Sequence, residues 1–172
     1  MGKTTFLHRY LTNQFFANTA LTVGVQLHSH LIERQGKKIS LVIWDLGGQE
    51  HFRFVQDKFI KGAVAGLVFF DISSIGSILQ VPEWVTLFRK NAAPNIPILL
   101  VGTKMDIASE EMQQQAETEA AIRIKELDLC GYIATSSKWG KNVEEAIYSL
   151  VDALLVQRMS ATGTAHPSTA FN

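Results

Sequence analysis

With 172 residues, 47% of them hydrophobic, the chain is long enough to bury the core of a single domain. Its 16 basic and 16 acidic residues cancel, which argues against a nucleic-acid partner held by general electrostatics. No apolar run has the length of a membrane span, there is no signal peptide, and the one cysteine, Cys130, excludes an internal disulfide; all three fit a reducing cytoplasm.

In chain order, Gly2-Lys3-Thr4 comes first and matches the last three positions of G-x-x-x-x-G-K-[ST]. In that loop backbone amides cradle phosphates, the Lys reaches the β- and γ-phosphates, and the hydroxyl ligates Mg²⁺. A helix near 4–13 follows, because Phe6, Leu7, Tyr10 and Leu11 recur at helical spacing; an anion would then lie at its N-terminus. Alone, G-K-T is common and equally describes a plain chain start entering a helix. Strands are expected near 24–33 and 39–45, joined by a hairpin turn at Gln35-Gly36-Lys37-Lys38 that makes the edge strand antiparallel. The second strand opens into Trp44-Asp45-Leu46-Gly47-Gly48-Gln49-Glu50. That layout lets Asp45 hold Mg²⁺, offers the Gly48 amide to a γ-phosphate, and lets Gln49 aim a water at the same phosphorus. The run is also ordinary turn chemistry.

A helix near 52–61 leads to a strand near 66–71 and a helix near 77–91, in which Pro82 calls for a late start or a kink. Trp84, Leu87 and Phe88 form a helical stripe that belongs in the core. The strand near 97–103 runs into Thr103-Lys104-Met105-Asp106. A carboxylate there accepts two hydrogen bonds from the ring N–H and exocyclic amine of guanine, a donor pair adenine lacks; a solvated turn is the plainer alternative. The polar helix near 110–128 opens on Ser109, a cap followed by Glu110 and Glu111. A strand near 130–135 runs into Thr135-Ser136-Ser137-Lys138, which otherwise reads as a helix cap, and a last helix covers 142–158. Strands alternating with helices give an α/β fold with a mostly parallel sheet, and the four motifs fall at its carboxyl rim, where such sheets bind ligands.

The order and spacing of these motifs resemble the Ras superfamily of small GTPases, Rab-like in particular, from Gly2 to about Leu155. The resemblance implies a P-loop NTPase of three layers, with residues 1–158 as the GTPase domain and 159–172 as a disordered tail. It implies GTP or GDP and Mg²⁺ as ligands. Gly2, Lys3, Thr4 and Thr5 fall on the phosphate loop and Phe15 on the aromatic that packs on guanine. Thr22 falls on the switch threonine, and Asp45, Gly48 and Gln49 on D-x-x-G-Q. Thr103, Lys104 and Asp106 correspond to N-K-x-D, and Ser136, Ser137 and Lys138 to S-A-K. Gln49, Lys3 and Thr22 are the implied catalytic residues, and Thr4, Thr22 and Asp45 the implied metal ligands. Stretches such as Val23-Gly24-Val25, His51-Phe52-Arg53 and Lys61-Gly62-Ala63 are Rab-like. Gly47 departs from the usual alanine toward the Arf-type D-x-G-G-Q, and Thr103 replaces asparagine as in Rho-like members. Thr19 stands where many Ras proteins carry a tyrosine over the phosphates.

The main departure is at the front. The family begins with a hydrophobic strand and the first half of the phosphate loop, and this sequence starts at Met1. Hydrogen bonds to charged groups contribute about 1.5–3 kcal/mol each, so lacking three would cost roughly 5–9 kcal/mol, about three to six decades of nucleotide affinity. The neighbours of the absent strand would lose ladder partners. Two readings compete: a start assigned too late, and a degenerate relative that binds nucleotide weakly and serves as an interaction module. The intact downstream motifs favour the first.

The tail from Met159 to Asn172 has no cysteine, Lys or Arg, so no prenyl anchor is expected; Phe6 at the Ser/Thr position of a myristoylation motif, and Gly2 in the phosphate loop, argue against that lipid too. Cys130 reads as a buried small hydrophobe. His28 and His30 share one face of a strand without a third ligand. Trp44, with Leu27 and Phe59, is a candidate effector surface. The expected activity is Mg²⁺-dependent GTP hydrolysis coupled to a two-state switch, slow without a partner because no arginine finger is evident. Effector, exchange-factor and activating proteins are the implied partners.

Overall fold

The computed structural model describes residues 1–17, 22–47 and 58–163. Helix α1 (Lys3–Thr12) starts at Gly2, whose φ of 83° lies in the left-handed region, and stops at Asn13, which is also left-handed and returns its N–H to Arg9. Strands β1 (Val25–Arg34) and β2 (Lys37–Leu46) form a hairpin in which Leu27 faces Trp44. Only Gln35 and Gly36 form its turn, with φ values of 51° and 69°, the pattern of a two-residue turn with both central residues left-handed. Lys37 and Lys38, expected in the turn, are strand residues paired with Arg34 and Glu33, since the shorter loop matches strand twist better.

Strand β3 (Gly66–Asp71) passes into a 3-10 segment (Ile72–Gln80) and then α2 (Val81–Asn91), with Pro82 in its first turn. The α-helix thus starts late, where a missing N–H costs nothing. Strand β4 (Ile98–Thr103), α3 (Glu110–Leu127), β5 (Gly131–Ala134) and α4 (Val143–Gly163) complete the order. Helix α4 continues through Gly163, so the start of the expected disordered tail is helical, and the Ser160 hydroxyl donates to Val156 O at 3.1 Å. Of the helix expected near 52–61, residues 58–61 lie among those described; 58–60 are helical and 61 is in a turn.

The strands form an antiparallel two-stranded sheet and a parallel three-stranded sheet. Antiparallel β1-β2 stands apart from parallel β3-β4-β5, because no strand among the described residues bridges β2 and β3. Strand β4 is buried on both faces: Ile98 and Leu100 enter one hydrophobic cluster with α2 and α3, Leu99 and Val101 another with α1 and α4. That placement puts the carboxyl ends of the strands, and the loops after them, at one rim. Phe88 is buried and Trp84 and Leu87 pack against the core, as their spacing predicts.

Cys130 is exposed, contrary to expectation, because β5 is an edge strand and its entry lies at the surface. Partial desolvation still raises its thiol above the ordinary range, so it is a poor nucleophile. Ser109 caps α3 by accepting the Met112 N–H at 3.2 Å. Ser109→Ala should therefore cost about 1 kcal/mol of stability, read from a thermal or urea transition; an unchanged midpoint would refute the cap's contribution.

Candidate functional site

The rim assembles from the short polar segments that follow the buried strands. Thr4, in the first turn of α1, donates its hydroxyl to Asp45 Oδ2 at 2.6 Å and lies 2.6 Å from the Thr22 hydroxyl. Thr22 also reaches Asp45 Oδ2, at 3.4 Å. Asp45 is buried at the end of β2. The three residues expected to ligate a metal are thus in mutual contact although 18 and 41 positions separate Thr22 and Asp45 from Thr4. Their donor set is entirely oxygen and includes one carboxylate, which suits a hard cation such as Mg²⁺.

Lys3 sits beside this cluster. Burial pulls its ammonium below the ordinary lysine range, while the Asp45 carboxylate pulls the other way. The Lys3 side chain thus accompanies the start of α1, the geometry for an anion at a helix N-terminus. Gly2 packs against Thr103, whose hydroxyl donates to Met1 O at 2.8 Å and also lies 3.0 Å from Phe70 O. That contact joins the front of the chain to the end of β4.

The second half of the site follows from there. Asp106 Oδ1 accepts the Ser136 hydroxyl at 2.7 Å, and Ser136 in turn accepts the Trp139 N–H at 3.1 Å. Met105 N–H donates to Thr135 O at 3.1 Å, so the loops after β4 and β5 are fastened together at backbone and side chain. Lys104, at φ 62°, extends its ammonium to Asp71 Oδ2 at 2.6 Å. Ser137 is half-buried and Lys138 exposed beside this pair of loops. Phe15 is 38% exposed after α1; neighbouring Phe16 packs edge-on against His8. Thr5 is half-buried in the first turn of α1. Gly48 and Gln49 lie outside the described residues, as does Thr19.

Sequence reasoning missed Asp71. It is buried at the end of β3 and its Oδ1 accepts both the N–H and the hydroxyl of Ser73 at 3.0 and 2.6 Å. Burial works against its charge, but the bonds from Lys104 and Ser73 outweigh it and hold the carboxyl below the usual range. A carboxylate ending a buried strand, as Asp45 also does, was the available signal. Since the folded value is depressed, this group stabilises the fold above the unfolded Asp pKa and its contribution fades as acid protonates it. Asp71→Asn should accordingly flatten the acid limb of the stability–pH profile, measured by urea unfolding between about pH 5 and 2; an unaltered limb would count against the pairing.

Two further expectations can be placed. Trp44 and Phe59 meet with ring centroids 5.0 Å apart, and Leu27, opposite Trp44, is exposed on the same ribbon face. His30 packs on Tyr10 at 5.1 Å, a structural contact.

Comparison with known proteins places the chain among relatives. A family model described as the Ras family matches residues 1–156. Ras-related protein Rab-4B of Rattus norvegicus, and likewise that of Homo sapiens, is 34% identical over 154 residues, covering 90% of this chain and 71% of the relative. Ras-related protein Rab-11A of Dictyostelium discoideum is 32% identical over 151 residues, covering 88% of this chain and 69% of the relative.

Proposed function

The chain belongs to the Ras family, and on that premise we propose that this small GTP-binding protein hydrolyses GTP and changes conformation when it does so. The observation that carries the reading is the contact of Thr4, Thr22 and Asp45, which unites the phosphate loop, a switch segment and the end of β2. Lys3 and the amides opening α1 hold the β- and γ-phosphates; Asp106 accepts from guanine while Ser136 fixes its carboxylate, and Phe15 covers the base. Thr4, Thr22 and Asp45 would hold Mg²⁺, which when bound neutralises charge on the phosphate oxygens. Gly48 donates its amide to the γ-phosphate and Gln49 positions water. When the γ-phosphate leaves, Thr22 and Gly48 lose a shared partner, and the exposed Leu27–Trp44 face changes its surroundings for an effector. Exchange and activating proteins acting on this rim complete the cycle. No helix among the described residues is long and apolar enough to cross a membrane.

Mass spectrometry of nucleotide released from purified protein tests the reading. GDP supports it, ADP would overturn the base assignment, and no nucleotide favours an interaction module. Gln49→Leu should slow single-turnover hydrolysis while leaving GTP affinity unchanged; an unaltered rate removes the water-positioning role. Lys3 supplies a pH test. Phosphate binds its charged form, and burial depresses its pKa, so affinity should weaken as pH rises toward 10.5, earlier than for an ordinary lysine. GDP titrations at increasing pH check this, and a flat profile would contradict it.

A further inference from the structure

The loop after β4 is tied down at three successive residues, and the ties run to two different strands. Met105 N–H bonds Thr135 O and Asp106 accepts the Ser136 hydroxyl, both just beyond the end of β5. Lys104 turns the other way. Its φ of 62° takes the chain out of strand geometry, and its ammonium reaches Asp71 Oδ2 at 2.6 Å, at the end of β3. Left-handed backbone is disfavoured for a residue other than glycine, so a bond that fixes this side chain also supports the turn beneath it. The parallel register makes the reach possible, since Asp71 lies beside Thr103, the residue before Lys104.

Asp71 is itself firmly held. Its Oδ1 accepts the N–H and the hydroxyl of Ser73 at 3.0 and 2.6 Å, and its own N–H donates to the Ser77 hydroxyl at 2.8 Å. Those bonds occupy Oδ1 and leave Oδ2 for the lysine. The Asp71 side chain is only 9% exposed and that of Lys104 44% exposed. The acid is therefore the fixed end, and the long lysine chain is what it confines; unanchored, that chain would spread over many rotamers. We propose that Asp71 is a positioning residue for the bound guanine nucleotide: it holds the Lys104 ammonium at the end of β3, so that the lysine stem stands as a fixed wall beside the base that Asp106 recognises. The inference rests on the function proposed above. The pair also divides labour between the two lysines of the rim. With its charge answered by Asp71, Lys104 offers its methylene stem to the base, and Lys3 is left to face the phosphates.

The test is the rate at which bound fluorescent GDP leaves the whole chain. Asp71→Asn keeps an acceptor oxygen for Ser73 and removes the charge that holds Lys104; Lys104→Met keeps an apolar stem and removes the ammonium. Each should speed GDP release by about tenfold to a hundredfold, the effect of one charge-assisted hydrogen bond. The double variant should be no faster than the faster single one, because both changes disable one interaction. Ser73→Ala loosens the turn around Asp71 and leaves the ion pair, so its release should change by less than about threefold. A carboxylate that served only the fold would give additive effects and a Ser73→Ala variant as fast as Asp71→Asn; either result overturns the proposal. Release from Asp71→Asn at the parent's rate also overturns it, and leaves the guanine reading standing. A parent chain that takes up no GDP removes both. Should Asp71→Asn not fold, the parent still answers. With GDP bound, the Lys104 ammonium, assigned by its loss in Lys104→Met, should give a slowly exchanging ¹⁵N resonance, and its absence would show that the lysine is not held.

Discussion

Asp106→Asn should cost roughly two to four decades of GDP affinity, because two hydrogen bonds to a carboxylate contribute about 1.5–3 kcal/mol each. An amide at this place presents one acceptor and one donor group to a base edge that carries two donors. The mismatch leaves a guanine N–H facing an NH₂, and xanthine, with a carbonyl in place of the amine, becomes the better partner. The fold should survive the change. Ser136 donates to Asp106 Oδ1 at 2.7 Å, and an amide oxygen accepts that bond as well as a carboxylate oxygen does. Thermal midpoint therefore serves as the control, and titration with fluorescent GDP and XDP as the measurement. Retained preference for guanine at full stability would remove Asp106 from base recognition, and with it the strongest reason to prefer guanine over adenine nucleotides.

What could be seen in the sequence follows from how local the determining physics is. The cap at Ser109, the late start of α2 at Pro82 and the burial of β4 depend on neighbours within a turn or two, or on composition alone, and each is found as its residues indicate. Contacts between segments distant in sequence behave differently. Thr4, Thr22 and Asp45 come together as the family resemblance implies, but spacing by itself gives no distance between them. The Lys104–Asp71 ion pair is invisible in either motif, because it depends on β3 and β4 ending level in a parallel pair, Asp71 beside Thr103. The exposure of Cys130 depends on β5 being the edge, a property of the sheet and not of the strand.

Gly47→Ala should release Thr22 from the site and weaken Mg²⁺-dependent nucleotide binding by about tenfold to a hundredfold, the effect of losing one charge-assisted hydrogen bond. The reason is a single close approach. A Cβ on Gly47 would lie 2.5 Å from the Thr22 carbonyl oxygen and 3.0 Å from that of Gly24, both backbone atoms. Gly47 N–H meanwhile donates to Gly24 O at 2.9 Å, so the same contact that forbids a side chain also draws the two segments together. An alanine must push residues 22–24 outward, and Thr22 then loses Thr4, 2.6 Å away, and Asp45, 3.4 Å away. This gives a physical reason for glycine where the Ras and Rab pattern has alanine: in this chain the segment carrying Thr22 closes more tightly on the end of β2 than a methyl group permits. Thr4 and Asp45 keep their own bond at 2.6 Å in the variant, so some metal dependence should persist. The measurement is GDP and GTP affinity with and without Mg²⁺ for Gly47→Ala against Thr22→Ala. If the closure argument is right, the two variants lose similar affinity and their combination adds little, because they disable one interaction. Full additivity, or an alanine variant that binds as tightly as the parent, would show that Thr22 is held by something other than its approach to Gly47.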